Sequence, residues 1–228
     1  MSVPQSLRRL APDRLRDDPK LRAIALGAGL IPPRTMHSPG EAAVLTRLAT
    51  GTRRVVELGV YEGSSALVLA DALGAEAELH LVDPFIDATG WALRPGSRAN
   101  AAATRLAVRR ATRHGGPKVH WHLARSQDVG RTWSGGSVDL VFIDGDHSPD
   151  GCREDWELWH HHVSSGGVVA FHDARAGCDG GHGSPGPTAV VDDVFRAADS
   201  GWMIVEEIDS LVVVQRVDEI DHSTPERV

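Results

Sequence analysis

Residues 55–65, VVELGVYEGSS, decide how this chain folds. The apolar run at the start is typical of a buried parallel strand, and the segment after Gly63 favours a helix. Gly59 and Gly63 flank the turn between them. A strand–turn–helix unit places an acidic side chain and backbone amides beside a small ligand. The stretch therefore predicts a nucleotide-like cofactor, without saying which one.

The spacing and charge of this turn separate the candidate cofactors. A dinucleotide site needs G-x-G-x-x-G, so that the backbone can approach a pyrophosphate closely. This chain has G-x-x-x-G, with Tyr61 where a middle glycine is expected, and Glu57 ends the strand. A carboxylate there repels a pyrophosphate but suits a cationic cofactor that carries an amino acid, such as S-adenosylmethionine.

Alternating strands and helices surround the turn and predict the fold class. Predicted strands cover residues 53–59, 78–83, 118–124, 138–144, 167–173, 203–208 and 211–217, and predicted helices cover 64–73, 97–114, 126–132, 149–163 and 187–199. Another helix begins after Ser38 with the spacing of a capping box and runs to about Ala49. The first five strands alternate with helices, and two residues join the last two strands as a hairpin. We expect a Rossmann-like, doubly wound α/β sheet of seven strands, mostly parallel with the last strand antiparallel, with helices on both faces.

Polar residues follow the next two strands at the edge where such sheets bind ligands. Asp83 ends the second strand and is placed to accept both hydroxyls of a ribose. Ser126 follows the third strand, where the edge of an adenine would lie. The alternative is structural: Glu57 would pair with a neighbouring arginine, and Asp83 would cap the turn before Pro84.

A second acidic cluster follows strands four and five, in FIDGDH and AFHD. Neighbouring parallel strands lie about 4.8 Å apart, so Asp144 and Asp173 are predicted side by side. Carboxylates this close repel each other unless a proton or a cation lies between them, and oxygen ligands favour Mg²⁺, Mn²⁺ or Ca²⁺. Such an ion could lower the pKa of a substrate hydroxyl. The alternative is that Asp144 and Asp146 cap the following helix.

Two long segments resemble a known family. TMHSPGEAAVLTRLA followed by VVELGVYEGSSALVLADAL is similar to the opening of the cation-dependent small-molecule O-methyltransferases. The segment VDLVFIDGDH to GGVVAFHDA resembles a related branch of class I methyltransferases that includes bacterial natural-product enzymes. The resemblance covers about residues 35–214. It implies S-adenosylmethionine as cofactor, held by Glu57, Gly59, Tyr61, Gly63, Ser65, Asp83, Ser126 and Asp144.

The same resemblance assigns the chemistry. Asp144 and Asp173 match metal ligands of the family, with magnesium the expected ion, but Ala174 stands where the family usually has a further Asn or Asp ligand. Water, His172 or Asp146 could substitute. His147 holds a place where the family often has a lysine base, and an imidazole can accept a proton near neutral pH. His172 is the second candidate for the base.

Composition narrows the partners. The 228 residues carry a net charge of −7, which argues against nucleic acid as the main partner. No apolar run approaches the roughly 20 residues that span a bilayer, and the charged beginning shows no export signal, so we expect a cytoplasmic protein. Residues 1–34 are predicted as a helical extension that caps the sheet or forms a homodimer contact, with a substrate lid as the alternative. Residues 35–217 form the predicted methyltransferase domain, and residues 218–228 a flexible tail.

The sequence leaves the acceptor open among catechols, sugar hydroxyls and polyketide phenols. Two rival functions also stay open. One is a protein of the same fold that binds S-adenosylmethionine but catalyses hydroxylation, cyclisation or nothing. The other is an NAD-binding dehydrogenase, against which Glu57 and the missing middle glycine count.

Overall fold

A computed structural model describes residues 18–85, 100–175, 183–196 and 201–217. In chain order its elements are α1 (Pro19–Ala28), α2 (Pro39–Ala49), β1 (Arg54–Leu58), α3 (Ser64–Ala72), β2 (Glu78–Val82), α4 (Ala101–Thr112), β3 (Lys118–His122), α5 (Ser126–Arg131), β4 (Val138–Ile143), α6 (Pro149–Trp159), a 3₁₀ turn (His160–His162), β5 (Val163–Phe171), α7 (Pro185–Val191), a π-helical turn (Asp192–Arg196), β6 (Trp202–Ile208) and β7 (Leu211–Arg216). None of the helices within these ranges is long and apolar enough to cross a membrane.

The seven strands form one sheet in the order β3-β2-β1-β4-β5-β7-β6. Strands β1 to β5 pair in parallel, and β7 runs antiparallel to both β5 and β6. The predicted doubly wound sheet, including the hairpin and the antiparallel last strand, is therefore confirmed. The strand order reverses between β1 and β4, and their carboxyl ends are where an open sheet of this kind binds its ligand.

Helices cover both faces of this sheet because successive residues of its central strands face opposite sides. Val55 packs in an apolar cluster with α2, α3 and α4, whereas Val56 packs in a second cluster with α5, α6 and α7. Both side chains are fully buried. Trp156 and Trp159 of α6 belong to the second cluster.

The start of helix α2 is hydrogen-bonded to the last hairpin of the sheet. Ser38 and Glu41 form the predicted capping box, in which the hydroxyl and the carboxylate each accept a backbone N–H of the other residue. The second oxygen of Glu41 accepts hydrogen bonds from the backbone N–H and the hydroxyl of Ser210, in the β6–β7 turn, at 2.9 and 2.7 Å. The start of α2 is therefore fixed against the turn of the hairpin.

Helix α1 packs on α4, where Leu26 is buried against Ala103 and Ala107. It begins at a cap in which Asp18 accepts two backbone N–H bonds, and it ends at Gly29 in the left-handed conformation. The described part of the predicted N-terminal extension thus covers α4. Residues 1–17 and the tail from 218 lie outside the described residues.

Several helix ends differ from the prediction. Helix α6 ends at Trp159, and His160–His162 form a separate 3₁₀ turn in which His160 Nδ1 lies 2.9 Å from the Trp156 carbonyl and His162 Nε2 lies 3.0 Å from that of Gly130. Helix α7 starts two residues early, because Pro185 suits the first helical position. Sequence position also allows Trp91 to line a substrate pocket and Cys178, Asp179 and His182 to bind a metal; all four lie outside the described residues.

Candidate active site

The turn after β1 touches the end of β4, and this contact explains its first glycine. Gly59 has φ +88°, and a Cβ built on it would lie 2.1 Å from the backbone oxygen of Asp144. No side chain fits at this position without separating the two strand ends. The predicted cofactor turn and the predicted acidic cluster are therefore one continuous surface.

Glu57 lies under this turn and is fully buried. One carboxylate oxygen accepts a hydrogen bond from the Ser65 hydroxyl at the start of α3. The other, Oε2, is buried without a hydrogen-bond partner among the described residues. Burial raises the pKa of Glu57 well above its ordinary value; the Ser65 hydrogen bond opposes this rise, and the charges of Asp144 and Asp83 add to it. Burying an oxygen without a hydrogen-bond donor costs free energy, so we expect a ligand to donate a hydrogen bond to Oε2. The alternative pairing of Glu57 with Arg53 or Arg54 is not seen, since Arg54 pairs with Glu78.

Asp83 holds the turn from the other side. Its Oδ2 accepts the backbone N–H groups of Val60 and Tyr61, both at 2.9 Å, and its Oδ1 accepts that of Phe85 at 2.6 Å. The structural role considered for Asp83 is thus present, and it includes the turn before it as well as Pro84 after it. The two N–H groups occupy both lone pairs of Oδ2, whereas Oδ1 keeps one that could accept a ribose hydroxyl as well.

A third group lies after β3, and sequence reasoning found only one of its members. The hydroxyl of Ser126 and the side-chain amide of Gln127 both donate to Oδ1 of Asp155, at 2.5 and 2.9 Å. Asp155 is fully buried on α6, and its Oδ2 has no hydrogen-bond partner among the described residues. Burial raises the pKa of Asp155 to about 7 against the opposing hydrogen bond of Ser126. Its signal in the sequence is an aspartate on the same helical face as Cys152, Trp156 and Trp159.

The predicted acidic cluster contains two histidines. His147 Nε2 lies 3.5 Å from an oxygen of Asp144 and 3.4 Å from one of Asp173. His172 Nδ1 lies 3.1 Å from Asp144, and its Nε2 lies 3.4 Å from Glu41. The structure thus brings Asp144, Asp173, His147 and His172 together, as predicted, and adds Glu41, which sequence reasoning treated only as a helix cap.

The two histidines offset much of the negative charge of this cluster. Burial alone lowers the pKa values of both histidines, but the neighbouring carboxylates outweigh it and raise the pKa of His147 to about 9 and that of His172 to about 11. Burial conversely raises the pKa of Asp144, yet the two histidines bring it down to about 2. At neutral pH, imidazolium groups therefore relieve the repulsion between the carboxylates for which the sequence suggested a cation.

Backbone strain concentrates at the same edge. Four residues other than glycine have positive φ in the part of the chain that the structure describes, and three of them are Tyr61 (52°), Phe85 (51°) and Asp173 (52°). They follow β1, β2 and β5 respectively. Left-handed conformations of such residues cost about 1 kcal/mol or more each and collect at functional sites. The positive φ values therefore point to the carboxyl edge of the sheet as the functional site.

A seven-stranded sheet of this order, with a glycine turn and acidic residues at its carboxyl edge, defines a class I methyltransferase. Residues 56–174, a little over half of the chain, match a family described as a methyltransferase domain. The chain belongs to this family, and the class suggested by the motifs is confirmed. No curated protein matches the chain.

Solved structures show the same fold at low identity. The O-methyltransferase TomG from Streptomyces achromogenes, involved in tomaymycin synthesis and solved with SAM, is 18% identical with a TM-score of 0.56, over 86% of this chain and 88% of that one. An O-methyltransferase from Bacillus cereus in complex with SAH is 16% identical with a TM-score of 0.55, over 92% and 96%. An rRNA methylase from Streptococcus thermophilus is 13% identical with a TM-score of 0.51, over 81% and 100%.

Proposed function

We propose that the protein transfers a methyl group from S-adenosylmethionine to a hydroxyl of a small molecule. The observation that carries the proposal is Oε2 of Glu57 beside the glycine turn, which is buried and has no hydrogen-bond partner within the described ranges. The α-ammonium of a methionine moiety would donate to this oxygen and favour the ionised carboxylate. A dinucleotide has no cationic donor to offer there.

The start of α3 complements the same moiety. Gly63 caps this helix without a side-chain hydrogen bond, so N–H groups of the first turn are available to an anion. A methionine carboxylate fits this position, while Ser65 supports Glu57 from the same turn. The helix and the glutamate together suit an amino acid zwitterion, whose ammonium and carboxylate groups are attached to the same carbon.

The adenine and ribose ends of the cofactor would lie along the next two strands. We assign a ribose hydroxyl to Oδ1 of Asp83, which keeps a lone pair. Ser126 Oγ and Gln127 Nε2 both donate hydrogen bonds to Asp155. The lone pairs of Ser126 Oγ and Gln127 Oε1 therefore stay available as acceptors. The exocyclic amine of adenine is a donor that matches them.

When bound, S-adenosylmethionine supplies an electrophilic methyl group, and this chain must align the acceptor and remove its proton. His147 is the group we assign to proton removal, since its Nε2 reaches the edge between Asp144 and Asp173 and it is less buried than His172. His172 lies between Glu41 and Asp144 and is 3% exposed, so we assign it to positioning. With a pKa of about 9, His147 is mostly protonated at pH 7, and the proportion able to accept a proton grows as the pH rises.

The residues present fit a magnesium ion poorly. Asp144 and Asp173 are the candidate ligands, but Ala174 offers no third oxygen, and imidazole nitrogens lie against both carboxylates. Ligand atoms of Asp144, His147 and His172 lie within 4.8 Å of one another, a mixed nitrogen and oxygen set that Mg²⁺ does not prefer. We therefore propose that proton removal by His147 needs no magnesium.

The remaining partner assignments rest on charge and on the neighbours. The net charge of −7 favours a small acceptor over RNA, although the structural neighbours include rRNA methylases. TomG makes an acceptor from natural-product biosynthesis a reasonable first choice. A cytoplasmic location and a homodimer stay part of this proposal.

Two measurements test the function. Isothermal titration with S-adenosylmethionine, S-adenosylhomocysteine and NAD⁺ should show saturable binding of the first two only, and Glu57→Gln should weaken binding at least tenfold. Ser64→Ala, which changes the residue next to Ser65, serves as the control for disturbance of the turn. Transfer of labelled methyl groups to panels of catechols, phenols and sugars then separates a methyltransferase from a binding protein. Tight binding of NAD⁺ without binding of S-adenosylmethionine would overturn the proposal.

A further inference from the structure

A second cluster of side chains lies away from the active site, on strands β2 and β3. His80 is paired in register with His120, and their rings stack with centroids 4.5 Å apart. Glu78 precedes His80 by two residues and His122 follows His120 by two, so all four side chains lie on the same face of the sheet. Ligand atoms of Glu78, His80 and His120 lie within 4.8 Å of one another.

The key atom of the cluster is Nε2 of His80. This residue is 7% exposed, and its Nε2 is buried without a hydrogen-bond partner among the described residues. An oxygen of Glu78 lies 3.7 Å from this nitrogen, which is too long for a hydrogen bond. Buried polar atoms of this kind are rare and need an explanation.

The other nitrogen of the same ring is held firmly. His80 Nδ1 lies 3.1 Å from Nε2 of His122, and Trp133 packs edge-on against the His80 ring at 4.8 Å. If Nδ1 carries the hydrogen and donates it to His122, the lone pair of His80 Nε2 points toward Glu78. A histidine that binds a metal through one nitrogen usually donates a hydrogen bond from the other, which fixes its tautomer and orientation.

The carboxylate is oriented in a similar way. Nε of Arg54 donates to Oε2 of Glu78 at 2.8 Å, and the guanidinium of Arg54 also donates to the carbonyl of Ser137 at 2.8 Å. Glu78 is thereby held on the strand face beside His80. His120 is exposed and gives the cluster access to solvent.

We propose that Glu78, His80 and His120 bind a divalent transition metal ion of the zinc class. Two imidazoles and one carboxylate, with one open position for water, form a recurrent tetrahedral zinc site. Ligand atoms around such an ion lie roughly 3.3 Å apart, so small side-chain rotations close the present arrangement. The ion would join the edge strand β3 to β2 and give His80 Nε2 its missing partner.

The proposal does not depend on the methyltransferase assignment, and the test is designed accordingly. The full-length protein, freed of metal with a chelator and dialysed, is titrated with Zn²⁺ by calorimetry and with Co²⁺ by visible absorption. We expect one site with the intense absorption of tetrahedral Co²⁺. His120→Gln should weaken Zn²⁺ binding at this site at least tenfold, and because His120 is exposed, this variant should fold normally. His161→Gln removes an exposed histidine from the His160–His162 turn and should leave binding unchanged.

A second measurement locates the ion. Zn²⁺ should shift the ¹⁵N resonances of His80 Nε2 and of a His120 ring nitrogen, while His80 Nδ1 keeps its hydrogen. The proposal is overturned if zinc shows no saturable binding, or if the resonance shifts are confined to His147 and His172. It is also overturned if His120→Gln binds zinc as the wild type does, or if His161→Gln loses the site.

Discussion

The buried carboxyl group of Asp155 should make the stability of the protein depend on pH in an unusual direction. Its pKa is raised from 3.8 to about 7, mainly by burial. A folded-state pKa above the unfolded one means that folding favours the protonated acid, so stability falls as the pH rises between the two values. Most surface-paired carboxylates do the opposite.

Asp155→Asn isolates this effect, because asparagine keeps an acceptor for Ser126 and Gln127 but cannot ionise. One pKa unit corresponds to about 1.4 kcal/mol. The free energy of unfolding of the variant, relative to wild type, should therefore increase by roughly 2–3 kcal/mol between pH 5 and pH 8. The constant cost of the new amide group at Oδ2 cancels from this change.

The assay is urea denaturation followed by tryptophan fluorescence at several pH values, with no cofactor added. Glu157→Gln, an exposed carboxylate on the same helix, is the matched control and should show a difference from wild type that varies little with pH. If the difference between Asp155→Asn and wild type is flat from pH 5 to pH 8, or shrinks as the pH rises, the carboxyl is not held protonated and the reasoning is refuted.

Other substitutions and conditions test the site directly. Gly59→Ala should lose at least about 3 kcal/mol of stability by urea denaturation, because it adds a clash with Asp144 to the roughly 1 kcal/mol cost of a positive φ. Gly51→Ala, with φ +81° and no atom within 4 Å of its added Cβ, should lose only about 1 kcal/mol, and equal losses would contradict the contact. The single-turnover rate of methyl transfer should rise with pH up to about 9, the pKa of His147, and His147→Gln should abolish that rise while leaving cofactor affinity within threefold; a persisting rise would remove His147 from proton transfer. Dialysis against EDTA should leave at least half of the activity, and a loss that Mg²⁺ restores would reinstate the magnesium ion. Because the folded-state pKa of His172 is raised to about 11, its stabilising ion pairs should be intact below pH 6.5 and weaken as the pH rises toward 11, a slope that His172→Gln should reduce in denaturation experiments.

The fold was predictable because local signals agreed with one another. Continuous apolar runs marked β1, β4 and β5, and the Ser38–Glu41 capping box fixed the start of α2. Boundaries were less predictable where side chains far apart in sequence decide them. The histidines after Trp159 form a 3₁₀ turn instead of continuing the helix, and His162 Nε2 lies 3.0 Å from the carbonyl of Gly130. The sequence around these histidines does not predict this contact.

The site was predictable as a set of strand ends but not as a network. Parallel strands bring Glu57, Asp83, Asp144 and Asp173 to one edge, and the sequence shows this order directly. Two contacts of the site involve helices, whose orientation depends on packing: Ser65 of α3 donates to Glu57, and Asp155 of α6 accepts from Ser126. Neither contact could be derived from spacing alone.

Glu62 follows Tyr61 in the glycine turn and is 3% exposed. Two hydrogen bonds come to its carboxylate from the guanidinium of Arg22 in α1, and others come from the backbone and side chain of Arg34. The portion that matches the family begins at residue 56 and lacks both arginines. A recombinant fragment cut at that boundary would keep a buried negative charge without its counterions. The smallest unit of this protein that can be produced in folded form should therefore include α1, even though the recognisable methyltransferase signature starts 37 residues after the first residue of that helix, Pro19.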